Sequence, residues 1–169
     1  MFRATLVTLA LAAALVAACG EDEQQSAAGF DRRAMKAGKD DAPATTARAA
    51  ERGRTVRLVR SRFGRILADG RGKAFYYFDK ERTRRSRCYG ACAKAWPPVL
   101  TSGRPVAGRG ARARWLGVTR RRSGSLQVTY RGRPLYYYVH DAPGRVLCHD
   151  VEEFGGLWLV VRPDGTPVP

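Results

Sequence analysis

From Leu126 to Tyr130 the apolar Leu126, Val128 and Tyr130 alternate with Gln127 and Thr129, the period of two that a strand imposes by pointing successive side chains to opposite faces. Arg131-Gly132 interrupts the pattern, and Arg133 to Val139 reads as the returning strand of an antiparallel hairpin. Setting Tyr130 opposite Arg133 puts Leu135 and Tyr137 on the face of Leu126 and Val128, and Tyr136 and Tyr138 on the face of Gln127 and Thr129. Aromatic side chains on both faces imply burial on two sides. Arg65 to Asp69 and Lys73 to Phe78 repeat the arrangement around Gly70-Arg71-Gly72. A further strand, Leu157 to Val161, ends at the turn Arg162-Pro163-Asp164-Gly165, after which Thr166 to Val168 can return as an edge. The one helix candidate is Tyr89 to Trp96, Ala-rich and stopped by Pro97-Pro98.

The two hairpins belong to a tandem duplication. A shift of 60 residues lays Arg71-Gly72-Lys73-Ala74-Phe75-Tyr76-Tyr77-Phe78-Asp79-Lys80-Glu81 over Arg131-Gly132-Arg133-Pro134-Leu135-Tyr136-Tyr137-Tyr138-Val139-His140-Asp141, with four identical and four conservative positions. The same shift pairs Gly64 with Gly124, Ile66 with Leu126 and Cys88 with Cys148, and a shift of 62 pairs Trp96 with Trp158 and Gly103 with Gly165. Two copies are too few for a solenoid. The expectation is an all-β fold: duplicated antiparallel β-hairpin units, about 58–103 and 118–165, that bury their apolar faces against each other as one small domain (56–169), with one short helix around 89–96.

The N-terminus has a different character. Residues 1–18 carry Arg3 and then an apolar stretch from Ala4 to Ala18, a secretory signal peptide too short to span a bilayer comfortably. The sequence Val16-Ala17-Ala18-Cys19-Gly20 resembles a bacterial lipobox, which makes Cys19 the expected acylation point and new N-terminus. Acyl chains there would hold the protein to the outer face of the cell membrane, each buried methylene adding about 0.8 kcal/mol. Residues 19–55 show no sustained period and balance seven acidic against seven basic side chains, so they read as a lipidated start followed by a flexible linker.

Charge changes the picture only beyond that linker. The chain of 169 residues has 31 Lys plus Arg against 15 Asp plus Glu, and 23 of the basic residues but only 8 acidic ones lie from Val56 onward. Such a surface attracts polyanions or anionic lipid headgroups. Because 26 of the 31 basic residues are Arg, codon bias in a GC-rich genome competes with selection for an anionic partner as the explanation. The charge is too diffuse to name a nucleic-acid module, and no nucleic acid is expected.

Several segments together resemble a family of bacterial predicted lipoproteins defined by a Yx(FWY)xxD motif and described as secreted repeats of unknown function. Tyr136, Tyr138 and Asp141 fit that motif in full, and Tyr76, Phe78 and Glu81 fit it with Glu replacing the final Asp. Cys88-Tyr89-Gly90-Ala91-Cys92-Ala93-Lys94-Ala95-Trp96-Pro97-Pro98 is similar to the family's CxGxCAxxWPP segment, and Phe154-Gly155-Gly156-Leu157-Trp158 to its FGGxW segment. The resemblance spans about Leu58 to Gly165. It implies a duplicated, extracytoplasmic, lipid-anchored domain and no enzymatic activity. In the motif the two aromatics share a strand face and the acid falls just past the strand end, where it can accept hydrogen bonds from turn amides. Glu81 is expected to weaken that capping in the first copy. Cys148-His149 stands where many relatives have no cysteine.

With Cys19 acylated, three cysteines remain, and outside the cytoplasm they tend to oxidise. Cys88 and Cys92 are one helical turn apart, about 6 Å between Cα atoms and within disulfide range, with Trp96 on the same side. The rival pairing joins Cys148 to Cys88 or Cys92 near a pseudo-twofold axis. A third reading, Cys88, Cys92, Cys148 and His149 as a Cys3His metal or redox set, matches no standard zinc spacing and suits an oxidising compartment poorly. His140-Asp141 has no Ser or Cys partner at a recognisable nucleophile motif, so no catalytic residue and no cofactor is expected. The sequence therefore points to a non-enzymatic envelope lipoprotein with a basic binding or structural domain, the alternative being an extracytoplasmic redox or metal-handling protein.

Overall fold

A computed structural model describes residues 53–169. The signal peptide, Cys19 and nearly all of the linker lie outside the described residues. The fold begins slightly before the expected boundary: the Gly53 amide donates to Arg104 O at 3.1 Å and the Arg54 amide to Thr101 Oγ1 at 2.9 Å, so the last linker residues are already tied down.

Strands β1 (Thr55–Ser61) and β2 (Gly64–Asp69) form an antiparallel hairpin running from Val56 opposite Asp69 to Ser61 opposite Gly64. The Ser61 hydroxyl closes its turn, accepting from the Phe63 amide at 3.1 Å and donating to Gly64 O at 2.9 Å. β3 is Tyr76–Phe78, α1 Ala91–Ala95, β4 Leu100–Thr101 and β5 Val106–Ala107, the last added to β1 in parallel. In the second half a 3₁₀ turn (Ala113–Trp115) leads into β6 (Leu116–Arg120), which pairs with β7 (Leu126–Tyr130). β8 (Arg133–Pro134) follows with Tyr130 opposite Arg133, the register read from the sequence. β9 (Val151–Glu153) and β10 (Gly156–Val160) make the last hairpin, and Val168 returns its amide to Val160 O at 2.9 Å beyond the turn at Arg162–Gly165.

The expected first hairpin around Gly70–Gly72 is only partly formed. The chief partner of β2 is β1, a strand whose alternation is broken where Val59 follows Leu58 and Arg60 takes the next place on the face of Val56 and Leu58. The other edge of β2 is divided, because Leu67 accepts from the Phe75 amide at 3.0 Å while donating its own to Val161 at 2.8 Å. With that edge shared, β3 leaves β2 and pairs with β10 instead.

That divergence reveals how the halves are joined. They do not face each other as separate hairpins; each hands its last segment to the other. Tyr76 and Tyr136 are antiparallel partners at the centre, exchanging amide-to-carbonyl bonds of 2.9 and 3.0 Å. On one side β10 of the second unit lies on β3 of the first, Trp158 opposite Phe78 and Val160 opposite Tyr76. On the other, the first unit's Ala95 and Pro97 carbonyls accept from the Val139 and Tyr137 amides at 3.0 and 2.8 Å, and Val99 donates to Leu135 O at 3.0 Å. The Leu67 to Val161 bond recurs with the units exchanged as Val128 N–H to Val99 O, also 2.8 Å.

Side chains alternating along the central strands feed two cores. Tyr76, Phe78, Tyr136 and Tyr138 enter one, with Trp96, Trp158 and all three domain cysteines, while Phe75, Tyr77, Leu135 and the partly buried Tyr137 enter the other with Val99, Val128 and Val161. The turn into β10 needs both its glycines: Gly155 has φ +75°, and a Cβ on Gly156 would overlap the Asp79 carboxylate and the Phe78 ring.

Candidate functional site

The motif carboxylates serve the opposite unit. Tyr76 of the first copy donates its phenolic O–H to Asp141 Oδ2 of the second at 2.6 Å, and Tyr136 of the second donates to Glu81 Oε1 of the first at 2.7 Å. Each acid also closes its own loop, Asp141 Oδ1 accepting the Leu147 amide at 2.9 Å and Glu81 Oε1 the Arg87 amide. The amide bound lies six residues on, not in the adjoining turn, and replacing Asp by Glu in the first copy leaves both contacts in place. Glu81 is 1% and Asp141 6% exposed, and burial pushes both carboxyls above their usual range against the pull of these hydrogen bonds. Glu81 Oε2 has no hydrogen-bond partner. Burial likewise pushes the Tyr76 and Tyr136 phenols well up, with the neighbouring carboxylates adding to it.

The middle tyrosines, on the other face, repeat the exchange. Tyr77 donates to Tyr130 O at 2.6 Å and Tyr137 to Asp69 Oδ2 at 3.2 Å, each reaching the hairpin turn of the opposite unit. Asp69 Oδ1 meanwhile gathers the Arg71, Gly72 and Lys73 amides, each at 2.9 Å.

At the centre Trp96 and Trp158 stack with centroids 4.2 Å apart and planes 5° from parallel. Phe78 stacks on the outer side of this pair against Trp158 at 4.4 Å, and Tyr138 lies against Trp96 at 4.8 Å, again across units. Tyr76 and Tyr136 meet the indole of their own unit edge-on, at 5.1 and 5.2 Å. Both indoles are fully buried, so these rings pack the junction and leave no open stacking platform.

Cys88 and Cys92 form a disulfide with Cα atoms 5.3 Å apart, held by α1 and by Gly90 at φ 58°. This excludes the rival pairings through Cys148, which is a buried thiol in the same core. It also takes two of the four donors of the Cys3His reading out of thiolate form, and no metal-holding group of three or more His, Cys, Asp or Glu occurs among the described residues. His149 packs edge-on against Phe63 at 4.3 Å, and burial lowers its pKa.

One buried polar group was not singled out by the sequence reading. Arg121, 6% exposed, donates to Gln127 Oε1 and to Cys88 O at 2.6 Å each, and Ser86 Oγ donates to the same Gln127 oxygen at 2.6 Å. Gln127 Nε2 returns a bond of 2.8 Å to Leu135 O. The signal was available in Gln127, a polar residue on the Tyr136 face that needs partners once buried. Arg121, inside a run of three arginines, carries none.

The acids are consumed by the fold. Asp69, Asp79, Glu81, Asp141, Glu153 and Asp164 accept hydrogen bonds from backbone amides, phenols, the Trp96 indole or the Thr166 hydroxyl. Three of the eight domain acids, Asp69, Glu81 and Asp141, are buried, and 23 basic side chains lie from Val56 onward, so the outer surface is strongly positive.

Comparison with known proteins agrees with this duplicated architecture. No curated protein and no solved structure matches the chain. A family model described as a secreted repeat of unknown function matches twice, over residues 58–100 and 117–162, the same two units that exchange their final segments here. No helix among the described residues is long and apolar enough to cross a membrane. The chain thus belongs to the family of secreted repeats of unknown function.

Proposed function

We propose that this secreted protein is a non-enzymatic envelope lipoprotein, anchored through Cys19 on the outer face of the cell membrane, whose basic domain binds an anionic component of the envelope. The observation that carries the binding role is the one-sided placement of charge: basic residues outnumber acidic ones 23 to 8 from Val56 onward, and Asp69, Glu81 and Asp141 are buried while arginines cover the outside. The lipobox-like segment supports the anchor. The aromatic motif is a staple between units, and the disulfide braces the helix that delivers Trp96; neither acts on a substrate.

Two measurements test this. Metabolic labelling with a palmitate analogue should mark the wild-type chain and fail with Cys19→Ser; labelling that survives the substitution removes the anchor. Retention on anionic envelope polymer should be strong at low salt and fall steeply as salt rises, and absent or salt-independent retention removes the binding role.

A further inference from the structure

The duplication supplies an internal control on where positive charge has collected. Glu81 to Arg87 and Asp141 to Leu147 are equivalent loops, each closed by its first residue's carboxylate on its last residue's amide. They differ in what they display. With the residue before it, the first stretch carries Lys80, Arg82, Arg84, Arg85 and Arg87; the corresponding positions of the second are His140, Ala142, Gly144, Arg145 and Leu147. Codon bias acts on both copies alike, so it does not account for five cations in one and a single arginine in the other.

The same contrast holds for the clefts beside the loops. Asp79, Lys80, Arg82, Arg85, Arg87 and Arg122 border an open cleft of about 610 Å³. Its counterpart in the second unit, between Arg62 and the stretch Gly144 to Leu147, is about 300 Å³. There the exposed Arg62 is tied to the loop, donating to Val146 O at 3.1 Å. In the first cleft Arg122 lies over the Tyr89 ring at 4.6 Å, beside Arg121 on the same ring at 4.4 Å. The carboxylates at this cleft are already engaged, Asp79 by the Leu157 amide at 3.0 Å and Glu81 by Arg87 and Tyr136. Two acids thus stand against the five cations Lys80, Arg82, Arg85, Arg87 and Arg122, and the exposed cations give the cleft a net positive charge, on walls formed by the loop on one side and Arg122 on the other.

Resting on the binding role above, we infer that this cleft is the binding site and that its ligand is a linear phosphate polymer. Guanidinium forks match phosphate oxygens bidentately. A phosphodiester strand lying between the walls meets cations on both, whereas a bilayer plane meets only the rims.

The test uses the secreted chain carrying Cys19→Ser, which has no acyl group, titrated with poly(glycerol phosphate) at 50 and 200 mM salt. With roughly five phosphates neutralised, affinity should fall about a hundredfold over that range, and R82Q/R85Q/R87Q should reduce the fall to about sevenfold while weakening binding at 50 mM salt by more than about tenfold. R65Q/R104Q/R109Q, which removes the same charge from outside the cleft, should stay within about threefold of the parent chain. If the loop variant loses the near-ultraviolet signal of the Trp96–Trp158 stack, K80Q/R122Q takes its place. Equal losses in the two triple variants overturn the cleft and leave a diffuse basic surface, the broader reading. Tighter binding to phosphatidylglycerol vesicles than to the polymer also overturns it, in favour of the bilayer, and no binding to either overturns the broader reading as well.

Discussion

Deleting one hydroxyl probes how the two units hold each other. Tyr136→Phe keeps the ring against Trp158 but removes the donor to Glu81 Oε1, leaving that buried carboxylate with the Arg87 amide and one oxygen already unpartnered. A hydrogen bond to a charged group contributes about 1.5–3 kcal/mol. With Glu81 1% exposed, water does not readily replace the lost donor, so a loss of about 2 kcal/mol is expected at pH 7, or about 10 °C in Tm for a domain of this size. The pH dependence follows from the carboxyl's position. Burial raises the folded Glu81 above its unfolded value, so protonation favours the fold: that stabilisation is complete below the unfolded value near 4.5 and is lost as pH rises through the raised folded one. The Tyr136 bond favours the ionised carboxylate, hence its removal costs most at neutral pH and little near pH 4. Urea unfolding of both proteins at pH 7 and pH 4 measures this. A Tyr136→Phe penalty under about 0.5 kcal/mol at pH 7, or one equal at the two pH values, refutes the reasoning.

Other outcomes follow from the same geometry. Cys88→Ser/Cys92→Ser opens a very short loop, for which chain entropy gives about 2 kcal/mol; an unchanged urea midpoint would contradict a structural bridge. Trp158→Ala removes a ring stacked on both Trp96 and Phe78 and should cost about 3–5 kcal/mol, with loss of near-ultraviolet circular dichroism; a small cost would mean that the stack does not hold the junction. Tyr76, Tyr77, Tyr136 and Tyr137 are all pushed up by burial, so their stabilisation persists below the unfolded value near 10 and is lost above it. Absorbance at 295 nm should therefore show these phenols ionising together with cooperative unfolding in alkali, and gradual ionisation of the folded protein would count against their burial.

What the sequence made legible was local or periodic. The Tyr130–Arg133 turn fixed the register of β7 and β8, so both faces of Tyr136–Tyr138 could be assigned in advance. The four-residue spacing of Cys88 and Cys92 pointed to the bridge, although Cys88 precedes α1 and the bend at Gly90, rather than a helical turn, brings the pair together. What stayed hidden was long-range. Self-similarity marks Trp96 and Trp158 as equivalent but cannot tell whether each packs in its own unit or the other, because an exchanged strand and a retained one bury the same side chains. β1 and β6 escaped for another reason: Arg60 and Arg120 take the third position on the apolar faces begun by Val56 and Leu58 and by Leu116 and Val118, so each alternation stops after two residues, although their backbones still pair. Glu81 looked like a weakened Asp because only side-chain length was visible, while its second partner, Tyr136, lies in the other repeat.

The exchange of final segments also governs how the chain completes itself during export. A polypeptide that emerges N-terminus first presents β2 with one edge only partly filled, since the partner of the Leu67 amide is Val161 of the second unit. The opening half therefore waits, incompletely closed, until the second unit has crossed, and such distant pairings are slow to form. A lone copy would face the same vacancy permanently and could fill it only from a sister molecule. Fusing two copies in one chain makes the closing partner always present and always in the right proportion.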